Sequence, residues 1–271
     1  KNMITEAESL FDSLEKINTF SLLKGINSED QKIATAVEMA IPKIELLIDA
    51  IFERMLKGGR LFYIGAGTSG RLGILDASEC SPTFGVDNGL VNGIIAGGDR
   101  AIRRAVEFAE DDQNQAWKDL KLHDVNDLDS IIGIAASGKT PYVEGGLKSA
   151  RQHGCITGAI VCNPNSSIAN AASFPIEAIV GPEFITGSTR MKSGTAQKII
   201  LNMISTALMI KLGHVKGNLM IDMELSNDKL MDRGTEMVKN LTGLNLKESF
   251  ELLKKYGSVR KAKEAWEKIK K

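Results

Sequence analysis

The chain has 271 residues, of which 43% are hydrophobic and 25% are charged, and its 34 basic and 34 acidic side chains cancel. Such a composition is typical of a globular protein with room for one α/β domain and a small appendage. A net charge of zero gives no electrostatic basis for binding nucleic acid or an anionic membrane. No apolar run approaches the ~20 residues of a membrane-spanning helix, and no signal peptide opens the chain.

The cysteines and histidines argue against a disulfide framework and a metal centre. Cys80, Cys155 and Cys162 are odd in number and show no C-x-x-C spacing, and the three histidines are far apart in the chain. We therefore expect a cytoplasmic protein without a structural metal.

The first part of the chain is helical in pattern. Residues 1–27 form a mixed, polar N-terminal segment. A stronger helix is predicted to follow Ser28, which suits an N-cap because two acidic residues follow it in the first turn. Pro42 is expected to kink this helix or divide it in two.

Short apolar runs then alternate with helical patterns. The runs are Leu61–Ala66, Leu90–Ala96, Ile131–Ala136, Ile156–Val161 and Ile176–Val180. The helical patterns between them are Gly70–Cys80, Asp99–Ala109, Pro141–His153 and Ser166–Ala172. Continuous apolar runs suit strands buried on both faces, so this order predicts an α/β fold with a doubly wound parallel sheet of about five strands flanked by helices. Ligands of such sheets bind beyond the carboxyl ends of the strands.

The last part of the chain is again helical. Ser193–Leu212 reads as a long helix that is apolar nearly all round, so we expect it to be buried, in part at a subunit interface. Residues 244–271 read as two short helices broken at Gly257. We divide the chain into the N-terminal segment (1–27), an α/β domain (28–225) and a C-terminal helical region (226–271).

Two loops at strand ends carry hydroxyl groups. Residues 65–71, with Gly67, Thr68 and Ser69, follow the first strand and open a helix, where free N–H groups favour an anion. The glycines superficially resemble a dinucleotide fingerprint, but no acidic residue obviously ends the second strand, and the hydroxyls suit a phosphate monoester better. A glycine turn that only connects strand to helix is the simpler alternative.

The second loop follows the third strand and contains Ser137, Gly138, Lys139 and Thr140, with Pro141 suited to a first helical turn. It lacks the spacing of a nucleotide P-loop, and a capped helix start is an equally good interpretation of it alone. Together, the two loops can face one ligand.

Several carboxylates follow these loops. Asp76 and Glu79 lie on the helix after the first loop, and Glu107 and Glu110 near the end of the helix predicted over Asp99–Ala109. On that helix Glu110 would border the buried face, whereas Glu107 would face solvent. A half-buried carboxylate can serve as an acid or a base. For any single glutamate, an ordinary surface role is the simpler interpretation.

Residues 181–198 are unusually dense in polar groups for the entrance of a helix. A capped helix with solvated charges would explain them without any function.

Taken together, these segments resemble the family of N-acetylmuramic acid 6-phosphate etherases, of the sugar isomerase domain (SIS) class. Residues 181–198 resemble the long signature that this family shares with the animal glucokinase regulatory protein. Residues 64–80, 105–112 and 134–142 also match, and the resemblance extends over about residues 27–240. Ser81 and Phe108 depart from the small residues expected at their positions.

The resemblance implies an etherase that releases D-lactate and N-acetylglucosamine 6-phosphate by C2 deprotonation, elimination and water addition. It assigns Glu110 as the C2 base and Glu79 as the acid that assists lactate departure. Gly67, Thr68, Ser69 and residues 137–140 would hold the 6-phosphate, with Ser188, Arg190 or Lys192 reaching the ligand or closing the site. The chemistry requires no metal or redox cofactor, and a homodimer is expected. Two alternatives remain: a non-catalytic sugar-phosphate sensor and an aldose–ketose isomerase.

Overall fold

Five parallel strands form the central sheet, in the order β2-β1-β3-β4-β5, in a computed structural model that describes residues 3–269. Residues 1–2 and 270–271 of the predicted terminal segments lie outside this range. The strands are β1 (Leu61–Gly65), β2 (Val91–Ile95), β3 (Ser130–Ile134), β4 (Ile156–Val161) and β5 (Phe174–Glu177). The predicted five-stranded parallel sheet is confirmed, although β5 begins two residues before its predicted start.

The strand order places the ends of β1 and β3 side by side. The chain runs from β1 outward to β2 and then crosses back to β3, which creates a topological switch point. The register pairs Gly65 with Ile134, so the two hydroxyl-bearing loops leave the sheet as neighbours.

Both faces of the sheet are buried. On one face Phe62, Ile131 and Val161 belong to a core that also contains Tyr142 and Leu147. The complete burial of β1, β3 and most of β4 explains why these strands read as continuous apolar runs.

Ten α-helices surround or follow the sheet in the described residues. They are α1 (Thr19–Met55), α2 (Gly67–Phe84), α3 (Arg100–Arg103), α4 (Gln115–Lys121), α5 (Pro141–Gln152), α6 (Ser167–Ala171), α7 (Lys192–Lys211), α8 (Asp228–Thr242), α9 (Leu246–Tyr256) and α10 (Val259–Ile269). A short antiparallel pair, β6 (Val215–Lys216) and β7 (Leu219–Met220), follows α7. None of the helices within residues 3–269 is long and apolar enough to cross a bilayer.

The first helix begins ten residues before the predicted position. Asn18, not Ser28, is its N-cap, and the Asn18 side chain accepts a hydrogen bond from the Ser21 N–H at 2.9 Å. The acidic residue after Ser28 suggested a first turn, but Glu29 is buried and ion-paired inside the protein. Pro42 lies within α1 and does not divide it.

The helix predicted over Asp99–Ala109 is wrong. Only Arg100–Arg103 is helical, and Arg104 is extended. Val106 packs against Gly97, where an added Cβ would lie 2.9 Å from the valine Cβ. This contact requires the chain to fold back over the turn at Gly97, so residues 104–114 form a loop beyond the end of β2.

The described chain divides into two compact units. The first unit comprises the residues up to Ala77 together with Gly89–Ser205, and the second comprises Ser78–Asn88 and the residues from Thr206 onward. In the second unit, α8, α9 and α10 enclose a small apolar core that includes Val238 and Leu253. Gly257, at φ +75°, ends α9 and confirms the predicted break. α8, capped by Asn227, lies in the predicted C-terminal helical region, although no bounds were predicted for it.

Candidate active site

The first loop presents unpaired donors at the beginning of α2. Gly67 is exposed and has φ +52°, Thr68 is half-buried, and Ser69 is 8% exposed. The first N–H groups of a helix have no partner within it and carry a partial positive charge. The Thr68 hydroxyl makes no hydrogen bond to any residue of the described range. This end of α2 can therefore receive an anion.

Ser69 is held by a residue that sequence reasoning missed. Its hydroxyl lies 3.0 Å from Oε1 of Gln197 on α7, and Gln197 is 1% exposed. The Nε2 of this amide has no hydrogen-bond partner among the described residues. The two ends of an amide have nearly the same shape, so the opposite orientation keeps one hydrogen bond to Ser69. In that orientation Gln197 donates, and the serine proton is available to a bound anion. The polar density of residues 181–198 was the available signal.

The second loop depends on a glycine. Gly138 has φ +72°, and a Cβ there would meet the Ser166 Oγ at 2.3 Å. The Ser137 hydroxyl accepts a hydrogen bond from the Lys139 N–H at 3.3 Å. Lys139 is exposed, and Thr140 begins α5 without a capping bond from its side chain. An ammonium group and a hydroxyl thus remain open to a ligand.

Asn163, which follows β4, fixes the second loop to the N-terminal segment. Its Nδ2 donates to the Ser137 carbonyl at 3.1 Å and to the Thr5 hydroxyl at 2.8 Å. Its Oδ1 accepts from the Ile4 N–H at 2.6 Å. Asn163 is 3% exposed and Thr5 is fully buried. No sequence pattern indicated this role, because the partners lie more than 150 residues apart.

A cavity of about 270 Å³ opens beside the first loop. Its described lining residues are Ala66, Gly67, Arg71, Ala96, Ala101, Ala105, Val106, Glu107, Phe108, Ala109 and Glu110. The backbone carbonyl of Glu110 accepts a hydrogen bond from the Tyr142 N–H at 2.9 Å, in the first turn of α5. The structure therefore places Glu110 in the cavity beside the first loop, with its backbone bonded to the first turn of α5, which follows the second loop.

The cavity contains two carboxylates and one guanidinium. Glu107 and Glu110 are both exposed side chains of the 104–114 loop. The expectation that Glu110 borders a buried helix face is wrong, because this segment is not helical. Arg71 is fixed by a hydrogen bond from its Nε to the Ile102 carbonyl at 2.9 Å. Its positive charge lies among the groups that a phosphorylated sugar would meet.

The other two carboxylates on α2 have different surroundings. Glu79 is exposed and lies in the second compact unit, and it is not among the described residues that line the cavity. Asp76 is buried and accepts hydrogen bonds from Tyr63, Asn202 and Ser205. Burial raises the pKa of Asp76 above its usual value, although these hydrogen bonds oppose the rise. Asp76 is therefore a buried structural acid.

Some side chains of the polar segment before α7 are accessible to a ligand, and others are buried in ion pairs or hydrogen bonds within the protein. Ser188 is half-buried and Arg190 is exposed, so both can meet a ligand. Lys192 cannot, because it is 1% exposed and its Nζ lies 2.5 Å from the Glu29 carboxylate. The expectation that Lys192 reaches the ligand is wrong.

The beginning of α7 is already satisfied by a carboxylate of the protein. Glu183 accepts hydrogen bonds from the Lys192 N–H at 2.8 Å and the Ser193 N–H at 2.9 Å. It is 1% exposed. This helix start is therefore not an additional anion site.

A second cavity, of about 490 Å³, lies within the second unit and is mainly apolar. Its described lining residues are Asp232, Thr235, Glu236, Leu246, Lys247 and Phe250. It has no strand-end loop or glycine-rich turn, so the cavity beside Gly67 is the better candidate for a sugar-phosphate site.

Comparison with known sequences gives a consistent result. Residues 43–151 match the family described as the glucokinase regulatory protein N-terminal SIS domain. A protein of Christiangramia forsetii named N-acetylmuramic acid 6-phosphate etherase is 60% identical over 98% of this chain and 97% of its own length. A protein of the same name from Porphyromonas gingivalis is 58% identical over 97% of this chain and 96% of its own length.

Solved structures share the fold at low sequence identity. A protein of Escherichia coli CFT073 is 20% identical, with a TM-score of 0.54 over 74% of this chain and 97% of its own. A phosphoheptose isomerase from Neisseria gonorrhoeae is 13% identical, with a TM-score of 0.52 over 70% of this chain and 97% of its own. These similarities show that the sheet and helices have the SIS arrangement.

Proposed function

This chain belongs to the N-acetylmuramic acid 6-phosphate etherase family, and from that premise we propose that it acts by proton chemistry at two neighbouring sugar carbons. The protein is an etherase that cleaves the D-lactyl ether of N-acetylmuramic acid 6-phosphate. The observation that supports the proposed mechanism is that Glu110 and Gly67 line one cavity, while the Glu110 backbone carbonyl is bonded to Tyr142 at the start of α5.

The 6-phosphate binds to the two hydroxyl-bearing loops. The N–H groups at Gly67 and Thr68 and the hydroxyls of Thr68, Ser69 and Thr140 donate to its oxygens. The second loop contributes Ser137, the Gly138 backbone and the Lys139 ammonium, and Ser188 and Arg190 supply further polar contacts.

The reaction begins with the open aldehyde form of the sugar, whose carbonyl acidifies the proton at C2. Glu110 removes that proton, and the C3–O bond breaks as Glu79 gives a proton to the departing lactate oxygen. Water then adds at C3 of the unsaturated aldehyde, activated by the Glu79 carboxylate, and C2 regains a proton from Glu110. The products are N-acetylglucosamine 6-phosphate and D-lactate, with one water consumed. None of these steps requires a metal or redox cofactor.

Substitution of each glutamate tests the mechanism. We expect Glu79→Gln and Glu110→Gln each to lower kcat by about 10²-fold or more. Asp111→Asn makes the same change of charge one residue from Glu110 and is the matched control, because Asp111 is exposed and is not among the described residues lining the cavity. Equal activity of the wild type and Glu110→Gln would remove Glu110 from the chemistry.

Isotope exchange separates the two roles. In D₂O, elimination through C2 places solvent deuterium at C2 of the amino sugar, which NMR detects. We expect Glu110→Gln to lose both exchange and lactate release. Glu79→Gln should retain exchange at C2 while losing lactate release. If Glu110→Gln retained exchange at C2 and Glu79→Gln lost it, Glu79 would be the C2 base and Glu110 the acid. Ketose formation without lactate would instead indicate an isomerase, and tight fructose phosphate binding without turnover would indicate a sensor.

We further propose a cytoplasmic homodimer. The three cysteines are free and buried, which suits a reducing compartment. On α7, Met203 and Ile210 are 36% and 50% exposed, and exposed apolar side chains of this size suit a subunit interface. A monomeric mass by light scattering would contradict the homodimer.

A further inference from the structure

Phe108 occupies a backbone conformation that phenylalanine rarely adopts. Its φ is +61°, and the other non-glycine residues with positive φ in the described range are Ser13, Asp124 and Asn165, all with short polar side chains. The left-handed region brings Cβ too close to the following carbonyl oxygen, so only glycine, and occasionally Asn or Asp, visits it routinely. A phenylalanine here is therefore strained.

The Phe108 side chain gains nothing from the protein core that would offset this strain. It is 80% exposed, whereas a phenylalanine normally stabilises a fold through burial of its ring. Neither the backbone nor the packing of the described residues accounts for an aromatic residue at this position. Strain of this kind concentrates where a side chain is needed for a ligand.

The position of Phe108 indicates which part of a bound ligand its ring would meet. It lines the cavity beside the first loop, between Glu107 and Glu110 in the chain. Small apolar side chains, including Ala96, Ala101 and Ala105, line the same cavity. An aromatic ring at the rim of such a cavity provides an apolar surface next to the carboxylate that we assign to C2.

We propose that Phe108 is a specificity-determining residue whose ring covers the methyl of the acetamido group at C2 of the substrate. This inference rests on the proposed function, because Glu110 acts at C2 and the acetamido group is attached to that carbon. The ring closes the apolar side of the cavity over the methyl and favours N-acetylated sugars over analogues that lack it.

The test compares N-acetylmuramic acid 6-phosphate with its N-formyl analogue, which keeps the amide and lacks only the methyl. A hydrophobic contact of this size changes kcat/KM by about tenfold or more. We expect the wild type to prefer the N-acetyl substrate by about that factor. Phe108→Ala and Phe108→Gly should both bring the preference to near unity.

The two variants separate the ring from the backbone. Both remove the ring, but only Phe108→Gly relieves the left-handed strain, so we expect its melting temperature to rise above that of Phe108→Ala. A higher stability with a lost preference is a combination that a merely structural residue would not produce. If Phe108→Ala keeps the preference for the N-acetyl substrate, the proposal is overturned, even if Phe108→Gly loses that preference.

A binding measurement keeps this test separate from the proposed reaction. The thermal shift given by N-acetylglucosamine 6-phosphate should exceed that given by the N-formyl analogue in the wild type and equal it in Phe108→Ala. Absence of lactate release by the wild type would overturn the proposed reaction alone. Equal thermal shifts in the wild type would overturn the assignment of Phe108 alone.

Discussion

The buried ion pair between Glu29 and Lys192 allows a prediction that also decides what Lys192 does. Glu29 and Lys192 are 3% and 1% exposed, and their charged atoms lie 2.5 Å apart. Removing one partner of a buried pair leaves an uncompensated charge and costs about 3–5 kcal/mol. Lys32 also contacts Glu29 at 2.5 Å from a half-exposed position, so it compensates part of the charge. We therefore expect Lys192→Met to destabilise the first unit by about 3 kcal/mol, at the lower end of that range.

The assay is urea unfolding followed by the fluorescence of Trp117, which lies in the same compact unit as the ion pair. Replacement of Trp266, in the second unit, by phenylalanine removes the only other tryptophan. The control is Lys32→Met, which removes a half-exposed partner and should cost at most about 1 kcal/mol. The double variant Glu29→Leu/Lys192→Met removes both charges and should recover most of the loss.

The dependence on pH gives an independent check. Burial would raise the pKa of Glu29, but hydrogen bonds and charge from Lys192 and Lys32 outweigh it and hold the pKa below its usual value. A lowered carboxyl pKa contributes stability that is present above the unfolded pKa and is lost as pH falls through the folded pKa. The advantage of the wild type over Lys192→Met should therefore narrow in acid. A loss below about 1 kcal/mol at neutral pH would refute the reasoning. A raised KM with unchanged stability would instead show that Lys192 binds the substrate.

Three further predictions concern the second loop, the second unit and a buried thiol. Gly138→Ala should lower the free energy of unfolding by more than the ~1–2 kcal/mol expected from positive φ alone, because the added Cβ would meet Ser166 at 2.3 Å. The control in urea unfolding is Gly58→Ala, at a position with φ +92° and open space. Equal losses of stability in the two variants would contradict the steric argument. Burial would raise the pKa of Asp222, but Arg260 and His214 hold it below the usual value. Asp222→Asn should therefore lower the melting temperature at neutral pH, and the difference in melting temperature from the wild type should narrow in acid. A difference that does not change with pH would refute this reasoning. Burial raises the pKa of Cys162 to about 12, so Ellman's reagent should label it at pH 8 only after unfolding; rapid labelling of the native protein would show that the thiol is accessible.

Sequence patterns predict the elements that are buried on both faces. The bounds of β4, Ile156–Val161, agree with the apolar run, because a strand between two helical layers needs apolar side chains throughout. The break at Gly257 was also predictable, since a glycine in the left-handed region commonly ends a helix.

Features that depend on distant contacts were not predictable. Residues 99–109 have helical periodicity, but Val106 packs against the turn at Gly97 and the chain folds back there. Lys192 reads as a solvated charge, because its partner Glu29 lies 163 residues away. The bond between Ser69 and Gln197 spans 128 residues. In each case the physical cause is a tertiary contact that no local pattern encodes.

The residues before α1 hold two segments in place through hydrogen bonds: the second loop and the polar segment before α7. Ile4 and Thr5 make hydrogen bonds to the side-chain amide of Asn163, which supports the second loop. Ser9 makes hydrogen bonds to Phe184 and Thr186, which lie before α7. Trimming the chain back to the first helix would release both segments and leave the Asn163 side-chain oxygen buried without the N–H donors of Ile4 and Thr5. A shortened variant that lost turnover would therefore reveal nothing about the glutamates, and kinetic comparisons need the amino-terminal stretch intact.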